Sequence, residues 1–177
     1  MDRISDTQHA NPSAGGHRAL LTVLWLAVAT GWLVSIFSVI DEMCLATACS
    51  DAASFTIFGF NMGWFGVAYF SSLLLVVWLR KKVVLLDWIL SGMVFAGIGS
   101  EIRLLWIQKY IIGSWCPLCV TICCSLFVAA LLLVVEKYMG TGPVRLSGRV
   151  RSAWVALVIM MIAAGLAVAL AGVKELT

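Results

Sequence analysis

Residues 114–124 read SWCPLCVTICC, four cysteines within nine residues of an otherwise apolar chain. A second pair, Cys44 and Cys49, stands upstream in CLATAC. Clustered thiols can bind a soft metal, exchange disulfides, or pack as small hydrophobes. In disulfide exchange the thiolate attacks, and the positive end of a helix favours it. The run Cys116-Pro-Leu-Cys119 suits that chemistry. Pro117 fits the first helical turn, where its missing N–H costs nothing. Cys116 then falls near the N-cap, with Cys119 in the first turn on the same face.

The elements that carry these residues are membrane helices. Of 177 residues, 62% are hydrophobic and only 12% are charged, far from the soluble norm of roughly a quarter charged. A bilayer core of about 30 Å needs roughly 20 apolar residues in helix. Five stretches qualify: 19–40, 62–79, about 83–107, about 115–135 and 153–173. The expected fold is an all-α integral membrane protein, with a disordered tail at 1–18, a four-helix bundle at 19–137, a loop at 138–152 and a fifth span with a short end at 153–177. The first apolar run is too long for a cleaved signal segment.

Basic residues set the orientation. Arg3, Arg18, Arg80, Lys81, Lys82, Lys137, Arg145, Arg149 and Arg151 fall on one side, Lys109 and Lys174 on the other, and Arg103 within the third span. The positive-inside rule makes the first side cytoplasmic. Both cysteine pairs then face outward, which in a bacterium is the oxidising periplasm beyond the inner membrane. That compartment favours disulfides over a structural thiolate cluster. The four-residue spacing of Cys44 and Cys49, with no histidine near either pair, fits zinc poorly. Redox exchange is the preferred reading, with metal binding and packing as rivals. For Cys123 and Cys124, one turn deeper, packing is preferred. No haem, flavin or nicotinamide motif is present. A quinone entering from the bilayer needs none, and such a system keeps the bacterial periplasm oxidising.

The order of a loop pair followed by CxxC, together with CLATACS, FNMGWFGVAYF and YIIGSWCPLC, resembles the vitamin K epoxide reductase family in its bacterial disulfide-forming, DsbB-like branch. The likeness covers about residues 20–137 and implies a four-helix bundle around a quinone pocket, to which the fifth helix is an addition. It further implies that Cys119 reacts with the quinone, ubiquinone or menaquinone, and that Cys116 is its disulfide partner. Cys49 would bond transiently to Cys116, and Cys44 would meet the outside partner. Asn61 falls near a family asparagine that hydrogen-bonds the quinone, and it also suits a turn or helix cap. Two departures stand out: the loop pair is more tightly spaced than in vertebrate members, and Cys123 replaces a tyrosine that some members carry. On the stripe of Cys119, Cys123 can line the pocket.

Bacterial members carry a thioredoxin-like domain after an extra helix, so the expected partner is a thioredoxin-fold, DsbA-like protein, separate or fused. No nucleic-acid partner and no resident metal are expected. Charges inside spans carry functional weight. Arg103 is a candidate to stabilise an anionic quinone and Glu101 to accept a proton, while Asp87 is expected to reach the cytoplasmic interface. Trp64, Trp106 and Trp115, with Trp78, Trp88 and Trp154, are expected as interfacial anchors. Gly63-xx-Gly66 and Gly97-x-Gly99 are expected to allow close helix contact. The function expected is quinone-dependent thiol:disulfide oxidation of a periplasmic partner. The alternative is a membrane carrier of mercuric or cuprous ion, and epoxide reduction is a further rival.

Overall fold

In hydrocarbon a backbone must satisfy its own hydrogen bonds, so apolar runs of this length fold as helices. The structure, a computed structural model, describes residues 12–43, 55–57, 60–80, 82–113, 115–139 and 148–175. Five long helices follow in order: α1 Pro12–Met43, α2 Met62–Leu79, α3 Val84–Ile107, α4 Pro117–Met139 and α5 Gly148–Gly172. Four are long and apolar enough to cross a membrane, and the shorter apolar helix Gly63–Leu79 lies within α2. At 18 residues α2 is about 27 Å long, near the lower limit for a span.

The helices outrun the apolar stretches. The segment expected as a disordered tail is helical from Pro12, α4 continues to Met139, and α5 begins at Gly148 inside the expected loop. A helix satisfies its backbone whatever its side chains, so a polar flank does not end it. Residues 1–11 lie outside the described residues.

α1 packs on α2 and α4, and α3 packs on the same two, closing a four-helix bundle. Leu24, Val28, Phe70, Leu73, Val77, Leu90, Val94, Leu126 and Leu133 fill its middle. α5 lies outside this ring, chiefly against α3. There the backbones touch: a side chain on Gly99 would strike the Ile162 carbonyl, and one on Gly165 would strike that of Ala96. Ser100 Oγ donates to the Gly165 carbonyl at 3.1 Å across this seam. Small residues matter here because lipid offers no hydrophobic drive between helices.

Three short strands were not foreseen. β1 (Phe55–Ile57) pairs antiparallel with β2 (Phe60–Asn61) and with β3 (Val173–Glu175), in the order β2-β1-β3. The end of α5 is thereby joined to the segment that leads into α2, on the face where α4 begins.

At the opposite face lies a buried group of charges. Arg80 Nη2 donates to Glu136 Oε1 at 2.6 Å, Arg80 stands 3.8 Å from Asp87, and Lys137 pairs with Asp87. Asp87 is 0% exposed, which corrects the expectation that it reaches the interface. Its partner Lys137 comes from α4, fifty residues away. Trp154 is likewise buried, edge-to-face on Phe95 with Nε1 donating to Ser91 Oγ, rather than anchored in an interface. Breaking a buried pair strands the other charge at about 3–5 kcal/mol. Asp87→Leu should therefore unfold at clearly lower temperature in detergent, while Asp87→Leu with Lys137→Leu should recover most of the loss. Equal melting of single and double variants would contradict the pairing.

Candidate functional site

α3 does not stop cleanly. Its last turn widens into a π-helical segment, Gln108–Ile112, closed by Gly113 at φ 73° with its N–H on the Gln108 carbonyl at 2.9 Å. Only glycine adopts that left-handed conformation without strain. The chain reverses through Trp115 and Cys116 into α4. Val120 N–H donates to the Cys116 carbonyl at 3.1 Å, which makes Cys116 the N-cap and Pro117 the first helical residue, as the sequence predicts. The two cysteines of the CxxC are therefore held at a helix N-terminus, where orphan N–H groups collect.

Their states differ. Cys116 is buried and disulfide-bonded. Cys119, Cys123 and Cys124 are free thiols, so the bond of Cys116 goes to none of them. Cys116 and Cys119 are thus not joined to each other here. Cys44 and Cys49 lie outside the described residues.

Cys119 is half-buried, and its sulfur lies within reach of the Gln108 side chain and, electrostatically, of Glu101. Glu101 is 7% exposed and Gln108 3%. Cys123, 5% exposed, and Tyr69 stand within reach of the same carboxyl. Tyr69 crosses from α2 over Gly97, where a side chain would collide with its hydroxyl, and donates to the Met93 carbonyl at 2.8 Å. Helices α2, α3 and α4 so bring Tyr69, Glu101, Gln108, Cys119 and Cys123 to one neighbourhood. Cys124, next along α4, is exposed on the lipid side.

The other expected ligand-binding residues lie apart from this group or outside the description. Arg103 stacks its guanidinium on Trp106 at 4.5 Å, and its Nε is buried without a partner. Asn61 ends β2 directly before α2, paired through its backbone with Thr56, and its side chain lies outside what is described. Gln108 was missed by the sequence reading. It falls seven residues after Glu101, on the same helical stripe, and that periodicity was the available signal.

Among the described residues, no group of three or more His, Cys, Asp or Glu side chains is placed to hold a metal ion. Cys123 is buried, whereas Cys124 is exposed. Thiol reactivity follows exposure, so a membrane-soluble maleimide should modify Cys124 at least about tenfold faster than Cys123. Peptide mass mapping would read this, with Cys116 modified only after reduction. Equal rates at Cys123 and Cys124 would contradict their placement. Comparison with protein-family models and with curated proteins finds no match.

Proposed function

We propose that this chain is a multi-pass membrane thiol:disulfide oxidoreductase of the vitamin K epoxide reductase type. It takes electrons from a thioredoxin-fold partner and delivers them to a quinone. The observation that carries this reading is the unequal state of the CxxC: Cys116 is disulfide-bonded away from Cys119, and Cys119 is left as a free thiol beside a buried carboxyl and amide. A relay between two dithiols needs such a linkage at its middle step.

The sequence of exchanges balances in electrons and protons. A partner thiolate opens a Cys44–Cys49 disulfide, and its second thiol closes the partner's own disulfide. Cys49 then attacks Cys116: the Cys49–Cys116 bond forms, the Cys116–Cys119 bond breaks, and the electron pair stays on Cys119. Cys44 then attacks the Cys49 sulfur: the Cys44–Cys49 bond forms, the Cys49–Cys116 bond breaks, and Cys116 leaves with the electron pair. Re-forming the Cys116–Cys119 disulfide gives up two electrons and two protons. A quinone supplies the two-electron, two-proton acceptor. The residues present suit such a molecule: Glu101 and Gln108 offer polar groups near the Cys119 thiol within apolar spans.

The inner-membrane orientation belongs to this reading. Arg80 and Lys137 are neutralised by buried partners. Without them, seven basic residues still face Lys109 and Lys174, so the cysteines are assigned to the periplasmic side. A mercuric or cuprous carrier would draw on the vicinal Cys123 and Cys124, and their divergent burial lends it no support.

Quinone reduction by the purified protein, followed by absorbance with a reduced thioredoxin-fold donor, tests the proposal. Cys119→Ser should lower turnover by at least about 100-fold, whereas Cys123→Ser should stay within about threefold of the parent. Undiminished turnover in Cys119→Ser would sink the relay, and tight soft-metal binding without quinone turnover would favour the carrier.

A further inference from the structure

Two oxygen atoms near Cys119 have no use in the fold. Glu101 Oε2 and Gln108 Oε1 are both buried and lack a hydrogen-bond partner. Leaving a buried polar atom unpaired costs about 1–3 kcal/mol, and in a membrane span no bulk water makes up the loss. Native structures rarely keep two such atoms on one helix stripe unless something else occupies them.

Both atoms are acceptors, so the missing partner is a donor. A metal ion is a poor candidate, because among the described residues no cluster of ligands surrounds them. Among the described residues no cation pairs with Glu101, and Arg103 is stacked on Trp106. What remains is a neutral ligand bearing hydroxyls. The Gln108 side chain lies within reach of the Cys119 sulfur, and its Oε1 has no partner. The carbonyl end of that amide is left to receive a ligand.

The spacing suits one ring. Glu101 and Gln108 are seven residues apart on one stripe, two turns, or about 11 Å along the axis. A six-membered ring with hydroxyls at opposite ends, adding a hydrogen bond of about 2.7 Å at each, has that reach. The site lies inside the apolar segment Leu85–Ile111, where a molecule dissolved in the bilayer can arrive.

We propose that Glu101 and Gln108 form a binding site for the diol, hydroquinone form of a membrane-soluble ring, accepting a hydrogen bond from each of its hydroxyls. This rests on the quinone reading above and adds to it a preference between redox states. Two fixed acceptors welcome the two hydroxyls of the reduced ring and offer nothing to the two carbonyls of an oxidised one unless a proton is brought in. The site therefore holds the product form and acts on release.

The test is equilibrium dialysis of the full chain in detergent, under nitrogen, with trimethylhydroquinone and with its dimethyl ether, which keeps the ring and loses both donors. The parent protein should bind the diol about tenfold or more tighter than the ether. Glu101→Met and Gln108→Met should each cut that preference by at least about threefold. Each removes a buried oxygen that has no hydrogen-bond partner, so neither should prevent folding. Cys119→Ser should keep the preference, since it leaves both oxygens in place. Equal affinity of the parent for diol and ether would mean that water alone occupies the oxygens and would overturn the site. A preference unchanged in both methionine variants would overturn it as well. Donor-selective binding without quinone turnover in the parent would remove the oxidoreductase reading and leave the site standing. Turnover without donor selectivity would do the reverse.

Discussion

Four charges at one end of the bundle must cancel, because the medium around them solvates none. Arg80 closes α2, Asp87 opens α3, and Glu136 and Lys137 end α4, so the cancellation is a joint between three helices. Adjacent residues on a helix point about 100° apart. Glu136 and Lys137 can meet Arg80 and Asp87 at once in only one rotation of α4 about its axis. Lys137 and Cys119 are eighteen positions apart, which is about five whole turns. Whatever direction the clamp gives Lys137, the helix passes on to Cys119 at the other face. The ion pairs thus aim the thiol that the proposed chemistry uses.

α3 is the element on which both faces depend. Asp87, Ser91, Val94, Ile98, Glu101 and Gln108 fall on one broad side of it and look into the bundle, while Gly92, Ala96 and Gly99 form the other contact, toward α5. A polar residue buried at each end and apolar ones between is the pattern of a helix shielded from lipid on most sides. The fifth helix supplies part of that shielding. Its backbone contact at Gly99 and Gly165 covers one face of α3, while Ile102 and Trp106 beside Glu101 stay exposed.

Much of this was legible in the sequence, for reasons that can be named. Span lengths follow from bilayer thickness, and the second span, 62–79, coincides with α2. Pro117 announced the start of α4 because its φ and missing N–H fit only there. Gly66, Gly97 and Gly99 announced close contacts, and each now meets a side chain or backbone of a neighbouring helix. What stayed hidden was pairing at long range. Asp87 near a span end reads as interfacial until Lys137 is known to lie opposite, and nothing local says so. Trp154 reads as an anchor until Ser91 and Phe95 are placed beside it. Gln108 was invisible because an amide near a span end is ordinary, and only the widened turn beneath it marks the position as unusual.

The three-stranded sheet carries a consequence of a different kind. Its middle strand comes from the segment between α1 and α2, and one edge strand comes from beyond the last helix, so the sheet joins chain regions far apart in sequence. Contacts of such high order are closed late, because the loop entropy between them must be overcome first. During synthesis, Phe55–Ile57 waits for α5 to be made and inserted before its second neighbour exists. The segment that follows Cys44 and Cys49 is then completed last, after the bundle that it caps. Maturation of the proposed thiol relay is in this way tied to the insertion of a helix that contributes none of its cysteines.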